Sequence, residues 1–380
     1  MKVVYIVTTV DGYGADKSIV NNILYLKKNK LVDPYVVIPY SGEIERVLQS
    51  NNIDYVMCKH LSWFAGHKWF FNKNGKRWLK TFYNKIQALI LFKQINKRGS
   101  IDFVHTNTMT TNFGIFLSKA LKSRHIMHIR ELPIEQFDWM YEYGEKETLH
   151  FIEKYSAAVV ANSEYVANKF RMLVQNVGVI NNGIFEANLI INPNKYDFGN
   201  GLRMICAGRL EEDKGHFDAI KAVGVLKSAG YTKNDIKLDI YGDGSMASEF
   251  RRYIQQEGLE SMITMIPFDK DLVSKMKKYN IGLICSRYEA FGRTTIEYLG
   301  SGLTVIGNET GNTPNLIQNE YNGLISKYGN PEDLAQKIVT LISNKELIRN
   351  YGEKGFQSVR RGFSIEDSSL QMMKLYNEVL

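Results

Sequence analysis

Short apolar runs alternate with longer amphipathic stretches along most of the chain. The apolar runs of the first half predict buried strands, which lie at residues 2–9, 35–39, 53–58, 103–106, 125–129, 157–161 and 177–180. Helical patterns separate several of them, for example at residues 17–29 and 111–121. This alternation predicts parallel β-sheets covered by helices, which is an α/β fold.

A second strand–helix series follows a polar stretch that contains Pro193, several asparagines and two glycines. The predicted strands of this series lie at residues 202–207, 236–241, 263–266, 281–285 and 304–307. We interpret residues 186–201 as a linker between two domains, formed by residues 1–185 and 202–360. Ser364 and Asp367 predict the start of a final helix within residues 361–380, and this segment could pack back on the first domain.

Length and composition favour a soluble protein of two domains. The chain has 380 residues, of which 44% are hydrophobic and 23% are charged. Its three cysteines are far apart in sequence, which excludes a disulfide framework and favours a reducing, cytoplasmic compartment. The apolar run at residues 3–10 is typical of a buried strand rather than a signal peptide, and no run reaches the length of a membrane span.

The net charge of +8 is concentrated in one segment. Residues 59–98 contain ten of the 48 lysines and arginines, no acidic residue, and three of the four tryptophans. Interleaved cations and aromatic residues suit an anionic membrane surface, which is the reading we favour. The alternatives are a solvated helix whose aromatic residues face the core, and an RNA-binding surface; we expect no nucleic-acid partner.

The most informative motif lies at residues 286–297, where a buried strand leads through Gly292 into a helix. The free N–H groups of a helix N-terminus suit a diphosphate, and a glycine lets phosphate oxygens approach the backbone. Glu297, one turn into the helix, could accept hydrogen bonds from ribose hydroxyls. Glu289, before the helix, could reach the sugar on the other side of the phosphates. The pattern therefore predicts a nucleotide-sugar site.

Two further loops agree with this interpretation. Gly208 and Arg209 follow the first strand of the second domain, and Lys214 lies just before the next helix. An arginine and a lysine together could neutralise a diphosphate leaving group. Gly242 lies in a glycine turn after the following strand, in a position where a simple tight turn is an equally good explanation.

These motifs resemble those of the retaining GT-B glycosyltransferases of family four, the glycosyl transferases group 1. The resemblance covers nearly the whole chain and is closest at residues 202–325. It implies a GT-B fold, with two Rossmann-like, doubly wound parallel-sheet domains facing across a cleft. It also implies donor-binding roles for Gly12, Gly14, Gly208, Arg209, Lys214, Gly242, Pro267, Phe268, Glu289, Phe291, Gly292, Arg293, Thr294 and Glu297, with Glu289, Arg209 and Lys214 also catalytic.

The resemblance also points to residues of the first domain. Gly12 and Gly14 occupy the place of the family's glycine-rich turn, although Tyr13 separates them. Relatives often place a histidine or an acid after the strand at 125–129, facing the anomeric centre. His128, Arg130 and Glu131 are the candidates there, with a slight preference for Arg130 and Glu131. His105 and Asn107, which end the preceding strand, are candidates for the acceptor side.

The resemblance implies a metal-independent hexosyltransferase without a cofactor. Residues 269–271 have the Asp-x-Asp form, but one such triplet is expected by chance, so we predict no metal site. The expected activity is transfer from a nucleotide sugar, with UDP favoured, to a glycan or lipid-linked acceptor at the inner face of the plasma membrane. A retaining front-face route is favoured by analogy. The alternatives are a nucleotide-sugar 2-epimerase and a non-catalytic nucleotide-sugar-binding scaffold on the membrane.

Overall fold

A computed structural model of the chain describes residues 1–11, 14–66, 77–186 and 201–380. The chain forms two compact units. Unit 1 comprises Met1–Glu186 together with Gly362–Leu380, and unit 2 comprises Ala187–Arg361. Gly12 and most of the predicted linker, residues 187–200, lie outside the described residues.

Unit 1 is built on a seven-stranded sheet in the order β3-β2-β1-β5-β6-β8-β9. All of its described pairings are parallel. The strands are β1 Lys2–Ile6, β2 Asp33–Ile38, β3 Asp54–Met57, β5 Phe103–Thr106, β6 Arg124–Ile129, β8 Ala158–Ala161 and β9 Val177–Val179. Two short strands, β4 Phe64–Gly66 and β7 Trp139–Tyr141, form a separate antiparallel pair.

The described helices of unit 1 connect these strands. They are α1 Gly14–Lys28, α2 Glu43–Ser50, α3 Arg77–Ile95, α4 Phe113–Leu121, α5 Pro133–Phe137, α6 Glu145–Tyr155 and α7 Glu164–Phe170. The central strands are buried on both faces, as parallel strands covered by helices must be, and this burial explains their continuous apolar runs. None of the described helices is both long and apolar enough to cross a bilayer.

The helix nearest the C-terminus, α15 Ile365–Val379, belongs to unit 1 and packs on α1. Ser364 caps it by accepting a hydrogen bond from the Asp367 amide at 2.9 Å. Tyr376 is fully buried and stacks on Phe103 of β5, with ring centroids 5.0 Å apart. The chain therefore leaves unit 1 for unit 2 and returns to complete the core of unit 1.

Unit 2 contains a six-stranded sheet in the order β12-β11-β10-β13-β14-β15. Its strands are β10 Leu202–Ala207, β11 Ile236–Tyr241, β12 Ile263–Ile266, β13 Ile281–Ile284, β14 Thr304–Asn308 and β15 Gly323–Ser326. Its helices are α8 His216–Ser228, α9 Ala247–Gln256, α10 Leu272–Lys275, α11 Arg293–Gly300, α12 Thr313–Leu316, α13 Pro331–Ser343 and α14 Lys345–Val359. The described pairings are again parallel.

The predicted α/β fold with two doubly wound parallel sheets is confirmed. The pattern did not predict β15, β4 or β7. The last two have only three residues each, too few to show a periodicity.

Candidate functional site

The predicted donor residues of unit 2 gather at the point where the strand order of its sheet reverses. The chain runs from β10 outward to β12 on one side and from β13 to β15 on the other. In open parallel sheets, ligands bind outside the carboxyl ends of the two strands that flank this reversal. The loops after β10 and β13 carry Lys214 and Glu289, respectively, and both belong to this edge.

Lys214 and Glu289 form an ion pair in which Nζ lies 2.7 Å from Oε1. Both side chains are largely covered, with exposed fractions of 18% and 19%. An ammonium group and a carboxylate that keep some access to solvent can exchange this contact for a phosphate oxygen and a sugar hydroxyl. The pair therefore places one positive and one negative side chain, both partly accessible, at the sheet edge where ligands bind in open parallel sheets.

Main-chain contacts hold the two loops against each other. The Arg287 amide donates to the Asp213 carbonyl at 2.7 Å. Gly215 has a φ of +65°, and a Cβ at this position would lie 2.0 Å from the Cys285 carbonyl oxygen. Only glycine permits this approach of the loop after β10 to the end of β13.

A third loop, after β14, fixes the backbone of residues 286–291. Asn312 donates from its amide nitrogen to the Glu289 carbonyl at 2.7 Å and from Nδ2 to the Phe291 carbonyl at 2.7 Å. Asn308 Nδ2 donates to the Ser286 carbonyl at 2.7 Å. A Cβ on Gly311 would lie 2.6 Å from the Glu289 nitrogen. The conformation around Glu289 is therefore set before any ligand binds.

Helix α11 begins directly after Gly292, whose φ of +86° requires glycine. Near its N-terminus, Arg293 Nε donates to Glu297 Oε1 at 2.9 Å. This contact orients the Glu297 carboxylate along the first turn while leaving Oε2 available. The first-turn N–H groups and the positive end of the helix dipole suit an anionic ligand at this point.

The structure places the other predicted donor residues around the same strand ends. Gly208 and Gly242 touch, because a Cβ on Gly242 would lie 1.9 Å from the Gly208 carbonyl oxygen. Arg209 is 62% exposed and lies 3.9 Å from Asp213, so its guanidinium has room to turn. The exposed Pro267 and Phe268 follow β12, while Phe291 is buried and Thr294 half-buried.

Asp269 of the Asp-x-Asp triplet serves a local structural purpose. Its carboxylate pairs with Lys275 and accepts a hydrogen bond from the Asp271 amide at 2.9 Å. Across the ranges that the structure describes, no three His, Cys, Asp or Glu side chains are grouped as a metal site would require.

Replacing Gly215 with alanine is expected to unfold unit 2 at a much lower temperature, because Cβ would collide with the Cys285 carbonyl. Gly329 offers a matched control, since its φ is +66° and a Cβ there meets nothing within 4 Å. Gly329→Ala should cost about 1–2 kcal/mol for the left-handed conformation alone. Scanning calorimetry measures both variants, and equal losses of stability would contradict the steric argument.

Unit 1 also gathers polar side chains where its strand order reverses, between β1 and β5. Asp16, near the start of α1, accepts hydrogen bonds from the Thr9 amide at 2.8 Å and from Asn107 Nδ2 at 2.5 Å. Asn107 Oδ1 in turn accepts from Arg130 Nε at 2.8 Å. Arg130 also donates to Asn182 Oδ1. Gly14 begins α1 with a φ of +53°.

A chain of side-chain contacts links Arg130 to helix α15 through two histidines. Arg130 can only donate, so His128 Nδ1 accepts from its NH2 group, 3.2 Å away. His105 Nε2 lies 3.3 Å from the same nitrogen and must therefore be its protonated position. His105 Nδ1 lies 2.8 Å from the Tyr376 hydroxyl, which also contacts the Tyr5 hydroxyl at 3.3 Å. Both histidines are neutral, because burial and the charge of Arg130 keep each pKa well below its usual value.

Glu131 differs from its neighbour Arg130 in what it contacts. Its two carboxyl oxygens accept hydrogen bonds from the Met109 amide at 2.8 Å and the Arg130 amide at 3.1 Å. Burial nevertheless raises its pKa to about 8, because the loss of hydration outweighs these two amides. Glu131 thus fixes the loop after β5, whereas the guanidinium of Arg130 remains the stronger candidate for contact with a substrate.

The buried histidines predict acid sensitivity of unit 1. Burial lowers the pKa of His125 to about 3 and holds the pKa values of His105 and His128 well below 6.5. The unfolded chain binds protons at these histidines below pH 6.5 and the folded chain does not. Each therefore removes up to about 1.4 kcal/mol of stability per pH unit as the pH falls. Burial also lowers the pKa of His60, to about 4, so four histidines act in this direction, and the raised pKa values of Glu131 and Asp16 oppose them.

We therefore expect a lower urea midpoint at pH 5 than at pH 7. All four tryptophans belong to unit 1, so their fluorescence follows this unit separately. An unchanged or higher midpoint at pH 5 would show that the histidines can accept protons in the folded state.

The sequence analysis did not identify several residues that support the loops around Glu289 in unit 2 and the polar side chains around Arg130 in unit 1. Asn312, Asp16, Asn182 and Tyr376 make buried contacts to predicted site residues, and Asn308 contacts Ser286 of the donor motif. In the sequence, Asn182 stands in an Asn-Asn-Gly run, which indicates only a turn. Polar residues directly after a buried strand were the available signal for Asn308, and no local signal marks Tyr376.

The comparisons with known proteins agree with this geometry. Residues 192–358 match the family model described as Glycosyl transferases group 1. The chain is 26% identical over 306 residues to an uncharacterized glycosyltransferase of Methanocaldococcus jannaschii, covering 77% of this chain and 80% of the relative. It is 23% identical over 226 residues to the poly(ribitol-phosphate) alpha-N-acetylglucosaminyltransferase of Staphylococcus aureus, covering 54% of this chain and 46% of the relative.

A crystal structure of HepE from Anabaena in complex with UDP shares the fold. Its TM-score is 0.80 at 17% sequence identity, and the alignment covers 100% of both chains. Three observations support the same assignment. They are the two Rossmann-like units, the motifs gathered at one edge of the sheet of unit 2, and the matching family model. The chain has the GT-B fold and is a glycosyltransferase, and its residues 192–358 match the glycosyl transferases group 1.

Proposed function

We propose that the protein transfers a sugar from a nucleotide-sugar donor, with UDP as the favoured nucleotide, to a glycan or lipid-linked acceptor, with retention of the anomeric configuration. The observation that carries this proposal is the Lys214–Glu289 ion pair, held beside the N-terminus of α11 by three interlocked loops. The UDP bound to the HepE structure and the poly(ribitol-phosphate) specificity in the name of the S. aureus relative support it.

In this proposal, binding of the donor replaces the Lys214–Glu289 contact. The ammonium group turns to the diphosphate, the Glu289 carboxylate accepts hydrogen bonds from sugar hydroxyls, and Glu297 accepts from the ribose. Arg209 and the first-turn amides of α11 complete the environment of the leaving group. These fixed charges stabilise the departing diphosphate electrostatically, without a metal ion or cofactor.

We propose a front-face reaction for the transfer step. The bond from the anomeric carbon to the diphosphate oxygen breaks, and the acceptor hydroxyl attacks from the same face. The departing phosphate oxygen takes the proton of that hydroxyl. Arg130 is our candidate from unit 1 for the group that acts at the anomeric centre, and His105 and Asn107 are candidates on the acceptor side.

The setting that we propose is the assembly of a bacterial surface polysaccharide or glycolipid at the inner face of the plasma membrane. A lipid-linked acceptor would be presented there, and the basic aromatic segment 59–98 is the proposed contact with the anionic membrane surface.

Thermal shift against UDP, GDP, ADP and their common sugars tests the donor site. A ligand present at 100 times its Kd should add about 2.7 kcal/mol of stability. We expect UDP to stabilise the wild type but not Glu297→Ala, whereas Glu346→Ala should respond as the wild type does. Glu346 also pairs with an arginine, Arg349, on a helix of unit 2. If no diphosphate stabilises the wild type, the donor-site assignment fails.

The products of turnover then separate transfer from its alternatives. Release of UDP that depends on an acceptor, together with a retained anomeric configuration by NMR, is the expected result. Conversion of the donor sugar without an acceptor would instead indicate a 2-epimerase. Binding without turnover in the presence of bacterial lipid and glycan extracts would indicate a scaffold.

A further inference from the structure

Helix α3 carries apolar side chains on two opposite faces. Its inner face packs into the core of unit 1 through Ala88, Leu91 and Ile95, which are at most 3% exposed. Its outer face presents six large apolar residues that are 39–60% exposed: Trp78, Leu79, Phe82, Ile86, Leu89 and Ile90. Their spacing places them within one arc of the helix. A continuous apolar stripe of this kind on a surface helix indicates a binding surface.

The stripe cannot be buried by a rotation of the helix, because polar contacts fix its inner face. Asn84 is 1% exposed and donates from Nδ2 to the Leu61 carbonyl at 2.9 Å and to Asn112 Oδ1 at 2.8 Å. Lys80 pairs with the buried Glu142. Rotating α3 would break these contacts and leave polar groups buried without partners.

Helix α3 carries exposed lysines together with the apolar stripe. Lys85 and Lys93 are exposed on α3, and Lys97 is exposed just beyond its end. The sequence of α3 contains no Asp or Glu. A second copy of the chain packed stripe to stripe would bring these lysines together, which disfavours a dimer through this face. A surface that offers both an apolar layer and negative charge suits the stripe best.

We propose that α3 lies flat in the interface of an anionic bilayer, with its outer stripe inserted between the lipids and its lysines among the headgroups. The helix has 19 residues and is therefore about 28 Å long, so it covers a broad patch without crossing the bilayer. This inference rests on the proposed function only for its biological purpose, which is access to a lipid-linked acceptor. It names the residues that make the contact.

Sedimentation with phosphatidylcholine vesicles, with and without phosphatidylglycerol, tests this contact using the full chain and no nucleotide. The wild type should bind the anionic vesicles and lose this binding as the salt concentration rises. Leu89→Gln with Ile90→Gln should weaken partitioning at least about tenfold, because the inserted apolar area shrinks. Lys85→Gln with Lys93→Gln should weaken it about thirtyfold.

Matched controls use exposed residues away from α3. Met172→Gln with Leu173→Gln removes two exposed apolar side chains from another surface of unit 1. Lys28→Gln with Lys374→Gln removes two exposed lysines from α1 and α15, which pack in a different core cluster from α3. Both controls should partition as the wild type does, and equal losses in a control and its α3 counterpart would overturn the proposal.

Other outcomes would also overturn it. These are equal binding to neutral and anionic vesicles, no binding to either, binding of RNA instead of vesicles, or a wild-type dimer that Leu89→Gln with Ile90→Gln converts to a monomer. Thermal shift with UDP on the same variants keeps the two proposals separate. Variants that lose vesicle binding and keep their response to UDP support the membrane contact and leave the donor site intact. A wild type that binds vesicles and ignores UDP contradicts only the proposed function.

Discussion

Lys214→Ala is expected to lower the rate of sugar transfer by about 100- to 1000-fold. Lys214 already sits 2.7 Å from Glu289 in a largely covered position, so its charge is fixed close to the site proposed for the leaving diphosphate. Removing one preorganised donor to a developing negative charge has an effect of this size in other enzymes. Release of UDP from the donor, measured at saturating donor concentration, gives the rate.

Lys275→Ala is the matched control for this change. Lys275 also pairs with a carboxylate of unit 2, that of Asp269, but it lies at the end of helix α10. The control should retain nearly the full rate. A loss of less than tenfold in Lys214→Ala, or a similar loss in Lys275→Ala, would mean that Lys214 does not stabilise the leaving group.

Arg130→Met is expected both to destabilise unit 1 and to abolish turnover. The guanidinium is 5% exposed and donates hydrogen bonds to Asn107 and Asn182, close to the buried carboxylate of Asp16. Its removal leaves the buried Asn107 Oδ1 and Asn182 Oδ1 without their donor, which costs about 1–3 kcal/mol for each group. Tryptophan fluorescence during urea unfolding measures this loss in unit 1, and UDP release measures turnover.

The stabilisation by UDP should survive in Arg130→Met, because Lys214 and Glu297, which are proposed to bind the diphosphate and the ribose, belong to unit 2. Arg124→Met provides the control, since Arg124 is exposed at the start of the same strand. Arg130→Lys should recover part of the stability, through its charge, but little of the turnover, because an ammonium group lacks the planar fork of the guanidinium. Full turnover in Arg130→Lys would show that charge alone suffices and that the fork has no role.

Much of the fold follows from local patterns, because each central strand is buried on both faces and is therefore continuously apolar. The start of α13 shows how local such signals are. Asn330 caps this helix by accepting a hydrogen bond from the Asp333 amide at 2.9 Å, and Pro331 takes the first helical position. These signals predict where an element begins, and the alternation of elements predicts parallel sheets.

The sequence could not reveal contacts between distant parts of the chain. The Lys214–Glu289 pair joins residues 75 positions apart, and the hydrogen bond from Tyr376 to His105 spans 271 positions. Nothing in the local sequence around Tyr376 distinguishes it from an ordinary aromatic residue on an amphipathic helix. The strand–glycine–helix motif was enough to propose Glu289 and Glu297, and the family resemblance added Arg130, whereas their supporting partners required the structure.

The return of the chain to unit 1 has a consequence for the order of folding during synthesis. The sequence of unit 2 is continuous, and all of it is translated before residues 365–379. Unit 1 must wait for α15, which supplies the buried Met372 and Tyr376 and the partner of Asn22, Ser368. Until then the strands translated first keep part of their apolar surface uncovered. Translation of unit 2 is therefore complete before that of unit 1, and the earliest-made unit is the one most in need of chaperones.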